Sequence, residues 1–138
     1  MFPSIVEWVD DHYRTKAKRS HRAIAGLSMG GFHSMQISKE YPAMFEYVGL
    51  FSAAIFRGKE GVETYANTEA KLERQFQEGV KLYWIGIGKD DFLYDENVRY
   101  RELLDSEGYP YTYRESEGGH IWRNWRIYLG EYAQLLFK

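Results

Sequence analysis

Four short apolar runs alternate with longer amphipathic segments, and this rhythm constrains the fold more than any other feature of the chain. RAIAGL (Arg22 to Leu27), YVGLF (Tyr47 to Phe51), LYWIGI (Leu82 to Ile87) and YTYRE (Tyr111 to Glu115) read as buried strands, the last being the least apolar. Helical segments are predicted at Pro3 to Tyr13, Gly30 to Tyr41, Tyr65 to Glu78, Asn97 to Glu107 and Trp122 to Phe137. Pro3 suits a first helical turn, Pro42 follows a helix end, and Gly79 and Gly108 stand where the chain must reverse. Strands separated by helices pair in parallel through right-handed crossovers, so the expected class is α/β, a three-layer αβα arrangement with a mainly parallel sheet. In the last helix Trp122, Trp125, Ile127, Leu129, Tyr132, Ala133, Leu136 and Phe137 recur at mixed spacings of three and four, which predicts one apolar stripe packed on that sheet.

The 138 residues suffice for one domain with a core. Eighteen basic and twenty acidic residues are mixed along the chain for a net charge of -2, so no footprint for nucleic acid or an anionic membrane is present. Cysteine is absent, which excludes thiol catalysis and cysteine metal sites. No apolar run approaches the roughly eighteen residues of a membrane span. The four histidines never fall at i, i+4 spacing and no H-E-x-x-H string occurs, so neither a metal nor another cofactor is expected.

Gly26-Leu27-Ser28-Met29-Gly30 is a G-x-S-x-G pentapeptide that follows an apolar run and opens a helix. Strand, tight turn and helix form the setting in which such a serine is thrust out as a nucleophile. Side chains at positions 26 and 30 are expected to collide across the turn, hence the glycines. The turn also aims the Met29 backbone N–H at the place where an oxyanion would form. The competing reading is a plain turn with Ser28 as helix N-cap.

A serine hydroxyl needs a base within hydrogen-bond reach and a carboxylate to orient that base. Asp90 and Asp91 follow the third strand, on the same carboxyl edge as Ser28, and either could reach the site. His120 follows the fourth strand after Gly118 and Gly119, while His12, His21 and His33 lie on early or elbow-helix positions that fit less well. The order Ser28, aspartate, His120 differs from the orders of the chymotrypsin and subtilisin classes.

With Tyr13-Arg14, Arg22 through Gly31, Gly88-Lys89-Asp90-Asp91-Phe92-Leu93, and Gly118-Gly119-His120-Ile121-Trp122 with Trp125-Arg126, nearly the whole chain resembles the esterase D and feruloyl esterase-like family of α/β-hydrolases. The resemblance implies Asp91, rather than Asp90, as the acid. It also implies a carboxylic-ester hydrolase acting on acyl or feruloyl esters of carbohydrate, small or polymeric, without a cofactor. Phe92, Trp122 and the Ile55 to Gly61 loop become candidate substrate walls. An acyltransferase would use the same triad, and a catalytically inert, self-associating fragment is the alternative from another class.

Members of that family carry early strands before the helix that begins here at Pro3, including the loop that gives a second oxyanion N–H. The resemblance therefore implies a single domain over residues 1–138 that is the C-terminal half of an α/β-hydrolase domain. In the family's order the elbow strand is central, so Arg22 to Leu27 would present an unpaired apolar edge, and self-association through it is expected.

Overall fold

The computed structural model describes residues 1–55 and 66–138. Its helices are α1 (Phe2–His12), α2 (Met29–Glu40), α3 (Thr68–Glu78), α4 (Tyr94–Ser106) and α5 (Trp122–Ala133), and its strands are β1 (Ala23–Leu27), β2 (Tyr47–Phe51), β3 (Leu82–Gly88) and β4 (Thr112–Ser116). The four strands form one parallel sheet in the order β1-β2-β3-β4. Leu27 pairs with Phe51, Phe51 with Gly86, and Gly88 with Ser116, so all carboxyl ends meet along one edge. The strands and helices are those the sequence predicts, with shifted ends, most at α3, α4 and α5, and a short 3-10 turn at Arg19–His21 lies just before β1.

β2 and β3 are buried on both faces, as central parallel strands must be. Val48, Leu50, Tyr83, Ile85 and Ile87 face one way and pack with Phe32 and Met35 of α2, Leu72 of α3, and Tyr100 and Leu104 of α4. Tyr47, Phe51 and Trp84 face the other way, against Tyr128 and Tyr132 of α5. Helices thus cover both faces, and each large side chain so buried contributes about 1.5–3 kcal/mol. Tyr83 and Tyr100 satisfy their buried hydroxyls on each other at 2.6 Å, tying α4 to β3. Gly79 and Gly108 have φ of 93° and 70° at the ends of α3 and α4, as their positions predicted.

Two expectations need correction. α4 begins at Tyr94, three residues before the predicted start. Asp91 Oδ1 accepts the Leu93 N–H at 2.9 Å and folds the chain into the helix early. α5 ends at Ala133, short of the predicted Phe137; its inward line is Asn124, Tyr128 and Tyr132, and of the predicted stripe Trp125, Tyr132 and, past the helix, Leu136 pack on the sheet, whereas Trp122, Ile127 and Leu129 are exposed. A spacing of four along a helix selects that polar-tipped line because its tips find partners: Tyr128 meets Ser116 Oγ at 2.5 Å and Tyr132 donates to the Ile24 carbonyl at 3.3 Å.

Lys39 on α2 is only 1% exposed, and its Nζ donates to Thr68 Oγ1 of α3 at 3.3 Å. Burial lowers its pKa to about 8, the Lys71 charge adds to the effect, and Glu40 opposes it. Below pH 8 the fold bears the whole cost of that charge; between pH 8 and the unfolded value of 10.5 the native state sheds the proton first, so stability rises with pH. Lys39→Met is expected to raise stability at pH 7 by ~1–2 kcal/mol and to flatten the rise between pH 7 and 9.5. Urea midpoints of both proteins at the two pH values check this; equal slopes would refute it.

Candidate active site

Ser28 sits between β1 and α2 with φ 54° and ψ -118°, a backbone conformation that costs a residue other than glycine about 1–3 kcal/mol. Three main-chain hydrogen bonds hold it there. Its N–H donates to the Phe51 carbonyl at 2.8 Å, and its carbonyl accepts from the Phe32 and Ala54 N–H groups, each at 3.1 Å. Ser28 stands at the N-cap position of α2 but makes no side-chain cap bond, so its hydroxyl is free for another partner.

The glycine requirement differs in one position from the sequence expectation. A Cβ at Gly26 would overlap the Gly30 carbonyl, as anticipated, but a Cβ at Gly30 meets nothing within 4 Å. Gly31 is the second tight position, where a Cβ would lie 2.7 Å from Ala53 Cβ and 3.0 Å from the Gly26 carbonyl oxygen. The crowding comes from α2 pressing on both the elbow strand and the segment after β2.

His120 Nε2 lies 3.0 Å from Ser28 Oγ, and Nδ1 lies 2.9 Å from Asp91 Oδ2. An ionised carboxylate only accepts, so in the neutral imidazole Nδ1 donates to Asp91 and Nε2 accepts from the serine hydroxyl. The Asp91 side chain is fully buried, with its second oxygen on the Leu93 N–H, while Asp90 is exposed to solvent. Phe92 and Trp125 flank the imidazole at ring separations of 4.8 and 4.9 Å. Trp122 lies one ring further out, 5.2 Å from Trp125, and does not touch His120 among the described contacts. Met29 begins α2, so its N–H is among those a helix leaves without an intrahelical partner. The Ile55 to Gly61 loop falls, beyond Ile55, outside the described residues.

Two supporting residues escaped the sequence reading. Asn124, buried in α5, donates from Nδ2 to the carbonyls of Glu117 and Gly119, each at 3.0 Å, and so clamps the loop that carries His120. Ser52, fully buried just past β2, accepts from Trp125 Nε1 at 3.0 Å and fixes the indole against the imidazole. A polar residue four before Tyr128 was the available signal for Asn124; Ser52 stood at a strand's carboxyl end like the others. Among the described residues no group of three His, Asp or Glu side chains could hold a metal ion.

The sheet and its serine-bearing elbow are those of an α/β-hydrolase. The chain belongs to the esterase family, whose model matches residues 3–134. It is 32% identical over 139 residues to an endo-1,4-beta-xylanase/feruloyl esterase of Xylanibacter ruminicola, covering 100% of this chain and 17% of that protein. To an acetyl esterase of Caldicellulosiruptor saccharolyticus it is 28% identical over 163 residues, covering 97% and 61%. A ferulic acid esterase structure superimposes with a TM-score of 0.76 at 25% identity, over 94% of this chain and 56% of that one. A fluorophosphonate-binding serine hydrolase of Staphylococcus aureus gives 0.83 at 18% identity, over 99% and 62%. The chain thus spans less than two thirds of the length of each of these relatives.

The glycine geometry yields a sharp expectation. Gly30→Ala should keep the fold and gain about 0.5–1 kcal/mol from helix propensity, whereas Gly31→Ala should lose ~1–3 kcal/mol to overpacking. Thermal or urea unfolding of the two variants checks it, and equal effects would contradict the arrangement described.

Proposed function

We propose that this chain is the serine-bearing part of a carboxylic-ester hydrolase. Ser28 attacks the ester carbonyl, His120 takes the hydroxyl proton and returns it to the leaving alcohol, and Asp91 orients the imidazole and stabilises its charged form. The Met29 N–H donates to the oxyanion. The observation that carries the reading is the Ser28–His120–Asp91 chain of hydrogen bonds, at 3.0 and 2.9 Å, assembled from the ends of three strands. The names of the relatives, feruloyl and acetyl esterases, favour acyl or feruloyl esters of carbohydrate as substrates. Phe92, 66% exposed beside the imidazole, would form one wall of the acyl site. Acyl transfer would use the same groups and differ only in the nucleophile that resolves the acyl-enzyme.

Intact mass after treatment with a fluorophosphonate, which labels only activated serines, tests the reading. One adduct on the parent chain and none on Ser28→Ala is expected, with Asp91→Asn slowing ester turnover by about 10⁴-fold through the wrong histidine tautomer. A folded parent that takes no adduct would overturn it.

A second proposal concerns the sheet edge. Among the described residues β1 pairs only with β2, and its sequence AIAGL has an exposed alanine, Ala25, at its centre. An apolar, unpaired strand edge recruits another strand, and we propose that two copies of this chain pair through it. Light scattering should give a dimer for the parent chain and a monomer for Ala25→Lys; a monodisperse parent monomer would refute the pairing.

A further inference from the structure

α5 carries its charge at the wrong end for its own stability. Its first turn has no acidic residue and instead holds Arg123, with Arg126 one turn on, both exposed. Cations there oppose the partial positive charge of a helix N-terminus. Some arginines pair with a carboxylate, as Arg19, Arg22 and Arg114 do with Glu46, Asp10 and Glu131, and others rest on a carbonyl or a ring, as Arg74 does on the Glu40 carbonyl and Arg101 on Tyr113. Neither Arg123 nor Arg126 makes an ion pair among the described residues, and Glu117, on the loop before α5, is taken by Lys89 at 2.7 Å. The uncompensated pair flanks a groove of about 410 Å³ lined by Trp122, Arg123, Arg126 and Ile127. Its apolar walls are open to solvent, Trp122 at 68% and Ile127 at 42%. Trp122 packs on Trp125 by one edge and leaves most of its surface to solvent between the two guanidinium-bearing side chains.

The groove also has a fixed relation to the reacting centre. Trp122 packs edge-on to Trp125 at 5.2 Å, and Trp125 packs edge-on to His120 at 4.9 Å. Two successive ring contacts thus connect the groove's Trp122 to the imidazole.

We propose that this groove is a subsite for an acidic sugar, a pyranose bearing a carboxylate, within the substrate of the proposed esterase. The indole face takes the apolar face of the sugar ring, and Ile127 forms the side wall. The two guanidinium groups take the carboxylate, a planar acceptor that matches their fork of donors. A neutral sugar gains the stacking alone. The subsite thus adds a charge preference to the proposed activity, and it rests on that reading only for its link to catalysis.

Binding tests it without turnover. Calorimetric titration of the full chain uses a xylotriose carrying one glucuronic acid, with unsubstituted xylotriose as the neutral control. The acidic sugar should bind at least about tenfold tighter at low salt, and raising the salt to about 0.2 M should erode the difference as screening grows. The double variant R123Q/R126Q should bind both sugars alike, and Trp122→Ala should weaken both. Equal affinity of the parent for the two sugars, an unchanged preference in R123Q/R126Q, or no binding of either sugar to folded parent would overturn the proposal. Fluorophosphonate labelling of the parent is read separately. A labelled Ser28 without charge preference refutes the subsite alone, and a preference without labelling refutes the triad alone.

Discussion

The in-register parallel ladder is the constraint from which the site follows. Because β1, β2 and β3 are aligned at Leu27, Phe51 and Gly86, and β3 and β4 at Gly88 and Ser116, the segments leaving the sheet emerge side by side. Ser28, Ser52, Asp91 and His120 all belong to those segments, and none lies more than four residues past its strand. The sheet also supplies the bond that holds the elbow, since the Ser28 N–H ends on the Phe51 carbonyl of the neighbouring strand. Shifting one strand by a residue would exchange its two buried faces and pull this edge apart together.

Much of this was legible because each signal was local. Apolar runs of five or six residues mark central strands, and glycines around a serine between strand and helix mark an elbow. What the sequence did not carry was direction. Trp122, Ile127 and Leu129 have the character of core residues, yet the helix turns Asn124, Tyr128 and Tyr132 inward, because polar tips that find hydrogen bonds bury as well as apolar ones. Asp90 and Asp91 are adjacent and chemically identical, so only the turn closed by Leu93 decides which carboxylate is buried. Gly30 likewise looks obligatory in the motif, whereas Gly31, outside the pentapeptide, meets the tighter contact.

The elbow shows how strain is kept local. A positive φ at Ser28 is held by three main-chain hydrogen bonds and by the press of α2 on Ala53. The segment around Ala53 is tied in turn to α4, where buried Asn97 donates from Nδ2 to the Ala53 carbonyl at 3.0 Å. The cost of one unfavourable residue is therefore spread over three elements that the hydrophobic core already fixes.

The clamp made by Asn124 has a dynamic consequence. His120 rides on a loop held from two sides: Asn124 of α5 takes the Glu117 and Gly119 carbonyls, and the Asp90 N–H, just past β3, donates to the Gly118 carbonyl at 3.1 Å. Unseating α5 would release the Glu117 and Gly119 carbonyls and leave the Gly118 carbonyl on the strand end. The placing of the imidazole is a joint property of the helix and the strand ends, and it lasts only while both hold.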